Sequence, residues 1–147
     1  MFKHILIPTD GSEQSRRAAE AGVALAKALG ARVTGLFAEP APTPIVYDKF
    51  LPLRHISPEV HAAAIERTAK RYLGVIEAAA AKAGVSCETV RRTSEFPAET
   101  ILEVAKRRKC DVIVMASHGH RGLAGLLLGS ETQKVLTHAK IPVLVYR

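Results

Sequence analysis

The stretch Cys110-DVIVMASHGHRGLAGLLLGSETQKVLTHAKIPVLVY-Arg147 decides the fold. Asp111-Val112-Ile113-Val114-Met115 reads as a short strand buried on both faces, because its apolar residues run without alternation. A loop from Ala116 to Gly125 follows, then an apolar turn closing on Gly129-Ser130-Glu131-Thr132, a helix, and a last strand, Pro142-Val143-Leu144-Val145-Tyr146. A glycine loop that leaves a parallel strand and runs into a helix start offers unpaired backbone N–H groups to an anion. A binding site is therefore expected here before any function is.

Working outward, His4-Ile5-Leu6-Ile7-Pro8 is another continuous apolar run. It ends in Thr9-Asp10-Gly11-Ser12, which combines turn chemistry with helix-capping groups, and Glu13 adds a charge favoured by the helix dipole. The next helix carries Ala18, Ala19, Gly22, Val23, Ala26 and Leu29 at helical spacing and closes at Gly30. Ala31 to Ala38 reads as the second strand of a βαβ unit. Glu39 to Pro58 holds five prolines and no sustained period, as a lid or contact surface would.

Ser57-Pro58-Glu59 opens a helix predicted to present Val60, Ala64, Thr68, Tyr72, Val75, Ile76 and Ala79 on one face, with Gly84 as its stop. Val85 to Arg92 alternates and suggests a strand nearer an edge. Pro97 starts a helix carrying Ile101, Leu102, Val104 and Ala105, whose last turn holds the basic run Lys106 to Lys109 and so complements the helix dipole. Strands and helices alternate throughout, which predicts an α/β fold: one domain over residues 1–147, an open five-stranded parallel sheet with helices on both faces. In such sheets ligands lie beyond the carboxyl ends of the strands where strand order reverses. The candidate rim is Thr9-Asp10-Gly11, Phe37-Ala38-Glu39 and Ala116 to Gly119.

Composition narrows the ligand. The 21 basic residues against 14 acidic ones, a net charge of +7, suit an acidic ligand or serve solubility. With four Phe, three Tyr and no Trp, the chain has no interleaved aromatic and basic pattern for stacking nucleic acid, so a small anion ranks above it and no nucleic-acid partner is expected. Cys87 and Cys110 stand in no metal-ligand or CxxC spacing and read as reduced thiols; His4, His55, His61 and His138 form no ligand spacing either, so no metal site is assigned. The start Met1-Phe2-Lys3-His4-Ile5 lacks the regions of a signal peptide, and no apolar run approaches the ~20 residues that cross a bilayer. A soluble, cytoplasmic protein without a membrane partner is expected.

Neither a GxxxxGK[ST] loop nor a GxGxxG fingerprint occurs. Gly119, nine intervening residues and Gly129-Ser130 remain. With Ile7-Pro8-Thr9-Asp10-Gly11-Ser12 near the start and Ile141-Pro142-Val143-Leu144-Val145 at the end, the whole chain resembles the universal stress protein family. The nucleotide-binding branch of that family carries Gly, two residues, Gly, nine residues, then Gly and Ser or Thr; here Ala116 replaces the first glycine. The resemblance implies a Rossmann-like, adenine nucleotide alpha-hydrolase-like fold that binds ATP, with or without magnesium.

By the same resemblance, Pro8, Thr9 and Asp10 would lie along the adenosine and Ala38 would border the base. Met115, Ala116, Ser117, His118 and Gly119 would form the near side of the phosphate loop, and Gly129, Ser130, Glu131 and Thr132 its far side at the helix start. A homodimer through Val143 to Tyr146 is implied as well, covering an otherwise unpaired edge.

Quieter roles stand beside these. Asp10 is suited to accept a ribose hydroxyl and equally to cap the first helix, and Ser130 with Gln133 fits a capping box. His118 is placed to approach a phosphate more than His120 is; Arg121 is as suited to clamp a phosphate as to point to water, and Glu131 to face away or to help hold a cation. Ala116 is strained by about 1 kcal/mol if φ > 0 is required, and otherwise crowds the ligand by one methyl. Three functions follow: a regulatory stress-response module holding ATP, a slow ATPase or phosphotransferase, or a dimeric interaction protein that binds no nucleotide. No catalytic residue is assigned, since neither a positioned base and nucleophile nor a P-loop Lys is apparent.

Overall fold

The computed structural model describes residues 1–41, 47–48, 51–52, 57–120, 122, 125 and 127–147. Along the chain run β1 (His4–Thr9), α1 (Glu13–Leu29), β2 (Arg32–Glu39), β3 (Tyr47–Asp48), β4 (Leu51–Pro52), α2 (Pro58–Ala83), β5 (Cys87–Thr93), α3 (Pro97–Arg107), β6 (Val112–Ala116), α4 (Ser130–His138) and β7 (Val143–Tyr146). Five strands form a parallel sheet in the order β5-β2-β1-β6-β7. β5 is an edge, as its alternation suggested, and β7 is the other. The short antiparallel pair β3 and β4 stands apart from this sheet within the proline-rich stretch, where sequence periodicity had marked no strand. Most of that stretch, expected as a lid or contact surface, lies outside the described residues.

β1 is central because Ile5, Leu6 and Ile7 are fully buried, on alternating faces. On one face Ile5, Ile7, Val33, Phe37, Val112 and Val114 meet α1 and α2; on the other Leu6, Leu36, Val90, Ile113 and Met115 meet α3 and α4. α1 buries Ala18, Ala19, Gly22, Val23 and Ala26, as its spacing predicted, and closes at left-handed Gly30.

The face of α2 differs from expectation. Ala69, Leu73, Ile76 and Ala80 are the buried residues; Tyr72 and Ala79 pack at the margin, while Val60 and Val75 are 59% and 36% exposed. Two adjacent stripes of this alanine-rich helix are apolar, and docking used the one turned a residue further along. Among the described residues, no helix is long and apolar enough to cross a membrane.

Strand order positions the site. β1 lies between β2 and β6, and the chain leaves β1 for α1 on one face but leaves β6 for α4 on the other. The two loops diverge, opening a crevice at the carboxyl ends of β1 and β6.

Candidate functional site

The β1 side of the crevice is held by local polar contacts. Ser12 is the N-cap of α1, its Oγ accepting the Ser15 N–H at 3.1 Å, so Asp10 is not the cap. Asp10 instead makes a turn, Oδ1 accepting the Ser12 N–H at 3.0 Å, and reaches across the crevice, Oδ2 accepting the His120 N–H at 2.9 Å. Burial alone would raise the Asp10 carboxyl, but hydrogen bonds from Ser12 and from the His120 amide outweigh it and hold the group below its ordinary value. Thr9 Oγ1 pairs with Ser15 Oγ at 3.0 Å and accepts the Gly11 N–H at 3.1 Å. Pro8 and Ala38, at the ends of neighbouring strands, are half-buried at the same rim.

On the β6 side, Met115 is buried among residues of α3 and α4, beneath the loop rather than on it. Ala116 ends the strand, and its φ is negative: among the described residues, Lys109 alone has a positive φ without being glycine. Backbone strain at Ala116 is thereby set aside, leaving the methyl group itself. Ser117 is 2% exposed; its N–H donates to Tyr146 O, its O accepts the Gly129 N–H at 2.7 Å, and its Oγ lies 2.9 Å from His118 Nδ1. Gly119 packs where a Cβ would stand 1.8 Å from Asp10 Oδ2, so a side chain there would evict the carboxylate. Arg121 lies outside the described residues.

The helix start is narrower than sequence suggested. Gly129 is the N-cap of α4, and Gln133 N–H makes the first helical bond, to Gly129 O. The expected Ser130–Gln133 capping box is not formed: the helix begins one residue early for it, and Gln133 Nε2 donates to Leu128 O instead. The Gly129 N–H is spent on Ser117, and the Thr132 hydroxyl, in a 3% exposed residue, donates to Ala116 O at 3.0 Å. What remains are the N–H groups of Ser130, Glu131 and Thr132, which have no partner among the described residues.

Glu131 turns its side chain away from the loop. Oε2 accepts the Ala98 N–H at 2.9 Å and Oε1 pairs with Lys134 Nζ at 3.0 Å, so it supplies α3 with the cap that Phe96 cannot. A cavity of about 260 Å³ opens on the α1–α2 side of the crevice, bordered by Thr9, Gly11, Ser15, Arg71, Tyr72 and His120, and does not extend to α4. Sequence reading missed Arg71, Tyr72 and the main chain of His120. None carries a motif; Tyr72 reaches the rim only because Gly11 leaves room for its ring.

The family model of the universal stress protein family matches residues 1–147. The chain belongs to the universal stress protein family. It is 36% identical over 148 residues to the universal stress protein in the QAH/OAS sulfhydrylase 3′ region of Thermus aquaticus, with both chains covered completely. The solved structure of MJ0577 of Methanocaldococcus jannaschii superimposes with a TM-score of 0.79 at 26% identity, covering 99% of this chain and 95% of that one. A universal stress protein solved in complex with cAMP superimposes with a TM-score of 0.65 at 25% identity, covering 99% and 97%. This universal stress protein therefore has the α/β Rossmann-like fold of its family, and its crevice lies between the loop that follows β1 and the loop that follows β6.

Proposed function

We propose that this universal stress protein binds an adenine nucleotide, ATP in particular, as a regulatory stress-response module. The phosphates would rest on the N–H groups of Ser130, Glu131 and Thr132 with the α4 dipole behind them, and the adenosine would run along Pro8, Thr9 and Asp10 toward Ala38. The observation that carries this reading is the set of three first-turn amides of α4, the helix that follows the β6 loop, without partners among the described residues. The cAMP complex of a relative supports an adenine ligand for this fold. Ser117, His118 and Gly119 shape the loop; Met115, Glu131 and the Thr132 hydroxyl serve packing and capping.

Among the described residues no three His, Cys, Asp or Glu side chains are grouped to hold a metal, so a magnesium ion would travel with the phosphates. The same reading includes a homodimer through β7, which leaves one edge without a strand partner and has Leu144 and Tyr146 41% and 37% exposed, and residence in the cytoplasm. The test is to purify the protein without added ligand, denature it and identify released nucleotide by chromatography, then to melt it with and without ATP. Adenine nucleotide in the extract, or a melting temperature raised by ATP, is expected. A blank extract together with an unmoved melting curve would favour an interaction protein without nucleotide.

A further inference from the structure

The positive charge is not spread over the molecule. The five strands of a parallel sheet start at one end, where α1, α2, α3 and α4 finish, so residues 1–5, 26–33, 80–88, 104–113 and 135–144 gather there. Those stretches hold nine basic residues and two acidic ones, Glu88 and Asp111, a balance of +7; the remainder of the chain holds 12 of each and is neutral. The entire excess therefore lies at the end opposite the crevice. Arg107 and Arg108 pair with Glu103 and Glu88. The other seven, Lys3, Lys27, Arg32, Lys82, Lys106, Lys109 and Lys140, are exposed and have no ion-pair partner among the described residues. Four helix carboxyl ends supply only about two negative charges between them, too few to balance this set.

The arrangement of the seven selects the partner. Lys27 and Lys82 lie at the ends of α1 and α2 on one face of the sheet, Lys106, Lys109 and Lys140 at the ends of α3 and α4 on the other, and Lys3 and Arg32 between them at the starts of β1 and β2. With strands about 4.8 Å apart and a helix layer about 10 Å to either side, they are scattered over a face roughly 20 Å square. A nucleic-acid strand or an acidic peptide offers a line of charge; a scatter in two dimensions matches a plane of anions. Between the ends of α1 and α2 a hollow of about 270 Å³ opens among Lys27, Arg32, Gly30, Gly84 and Ser86, and both glycines face open space. We propose that this end docks the protein on a bilayer surface bearing anionic phospholipids, one headgroup phosphate resting between Lys27 and Arg32, with the crevice turned toward solvent. The expectation of no membrane partner came from the lack of an apolar span, which docking by charge does not need. The inference stands apart from the nucleotide reading.

The experiment sediments the full chain with vesicles of phosphatidylcholine alone and of phosphatidylcholine with phosphatidylglycerol. Binding should require phosphatidylglycerol and should vanish between about 0.1 M and about 1 M salt, as the Debye length falls from about 10 Å to about 3 Å. Each cation near an anionic surface contributes about fivefold, so Lys27→Gln, Lys106→Gln and Lys140→Gln combined should weaken binding about a hundredfold. A second trio from the same end, Lys3→Gln, Lys82→Gln and Lys109→Gln, should repeat that loss, which guards against one variant failing to fold. A charge-matched variant, Arg67→Gln, Lys70→Gln and Arg92→Gln, removes exposed cations more than a Debye length from this end and should bind within about threefold of the native chain. No binding to anionic vesicles overturns the proposal, and so do equal losses in all three variants, which would make net charge the cause. Binding of a mixed-sequence DNA duplex that is lost in both lysine trios, with the vesicles left unbound, would overturn it in favour of nucleic acid.

Discussion

Gly129→Val separates the phosphate loop from the fold. Gly129 has φ −69° and ψ 158°, a conformation valine adopts readily, so the substitution carries no backbone strain. Its effect is spatial. A Cβ at this position would stand 3.0 Å from His118 Cβ, 3.1 Å from His118 Cα and 3.5 Å from Ser117 O, and the two further methyl groups press on the hydrogen bond between Gly129 N–H and Ser117 O. Overpacking of this kind costs about 1–3 kcal/mol. For a chain of this length it should lower the melting temperature of the ligand-free protein by roughly 3–9 °C.

A native protein held at 100 times its dissociation constant in ATP gains about 2.7 kcal/mol, or roughly 6–10 °C. The variant, with His118 displaced and the α4 amides shifted, should gain no more than about 1 °C. Differential scanning fluorimetry with and without ATP reads both effects, and Gly129→Ala should fall between them. A Gly129→Val protein that melts cooperatively and still gains the native increment would refute the placement of the phosphate loop.

Glu131 lies in the same motif but acts elsewhere: Glu131→Ala removes the cap of α3 and should destabilise by about 1 kcal/mol, while leaving the ATP-induced rise in melting temperature intact. Loss of that rise would place the carboxylate at the ligand after all. His4, 3% exposed, donates from Nε2 to Thr34 Oγ1 at 2.7 Å, since Thr34 itself donates to Glu88 at 3.0 Å. Burial, with Arg32 nearby, lowers the pKa of His4 below its ordinary value, so the folded protein keeps the ring neutral and the unfolded chain binds the proton first. Its contribution to stability is full above the unfolded value near pH 6.5 and is lost as pH falls from there toward the lower folded value, at up to about 1.4 kcal/mol per pH unit. Urea melts between pH 7.5 and 5 should show this loss, and His4→Gln, which retains an N–H donor without titrating, should remove it; an unaltered pH slope in the variant would exonerate His4.

Much of the architecture was legible because continuous apolar runs at Ile5-Leu6-Ile7 and Val112-Ile113-Val114 admit few environments other than the middle of a parallel sheet. The alternation of β5 likewise marked an edge. The close of α1 at Gly30 was also readable, whereas its start was read only as a group of capping residues, and the cap fell to Ser12 rather than to Asp10. The contacts that sequence could not supply are long-range. Glu131 caps α3 across 33 residues, Asp10 reaches His120 across 110, and neither is signalled by spacing. The α2 face was ambiguous because alanine is apolar enough to line either of two adjacent stripes. The capping box was misread for a local reason: Ser130 and Gln133 have the correct separation, but Gly129, tied to Ser117 O, takes the cap position first.

Main-chain N–H groups at the start of α4 are expected to receive the ligand's phosphates. Titrating ATP into 15N-labelled protein and following individual backbone amides tests it most directly. The amide signals of Ser130, Glu131 and Thr132 should move together and saturate at one dissociation constant, further than amides on the opposite end of the sheet such as those of Lys27 and Arg32. Saturable ATP binding that leaves those three signals in place would contradict it.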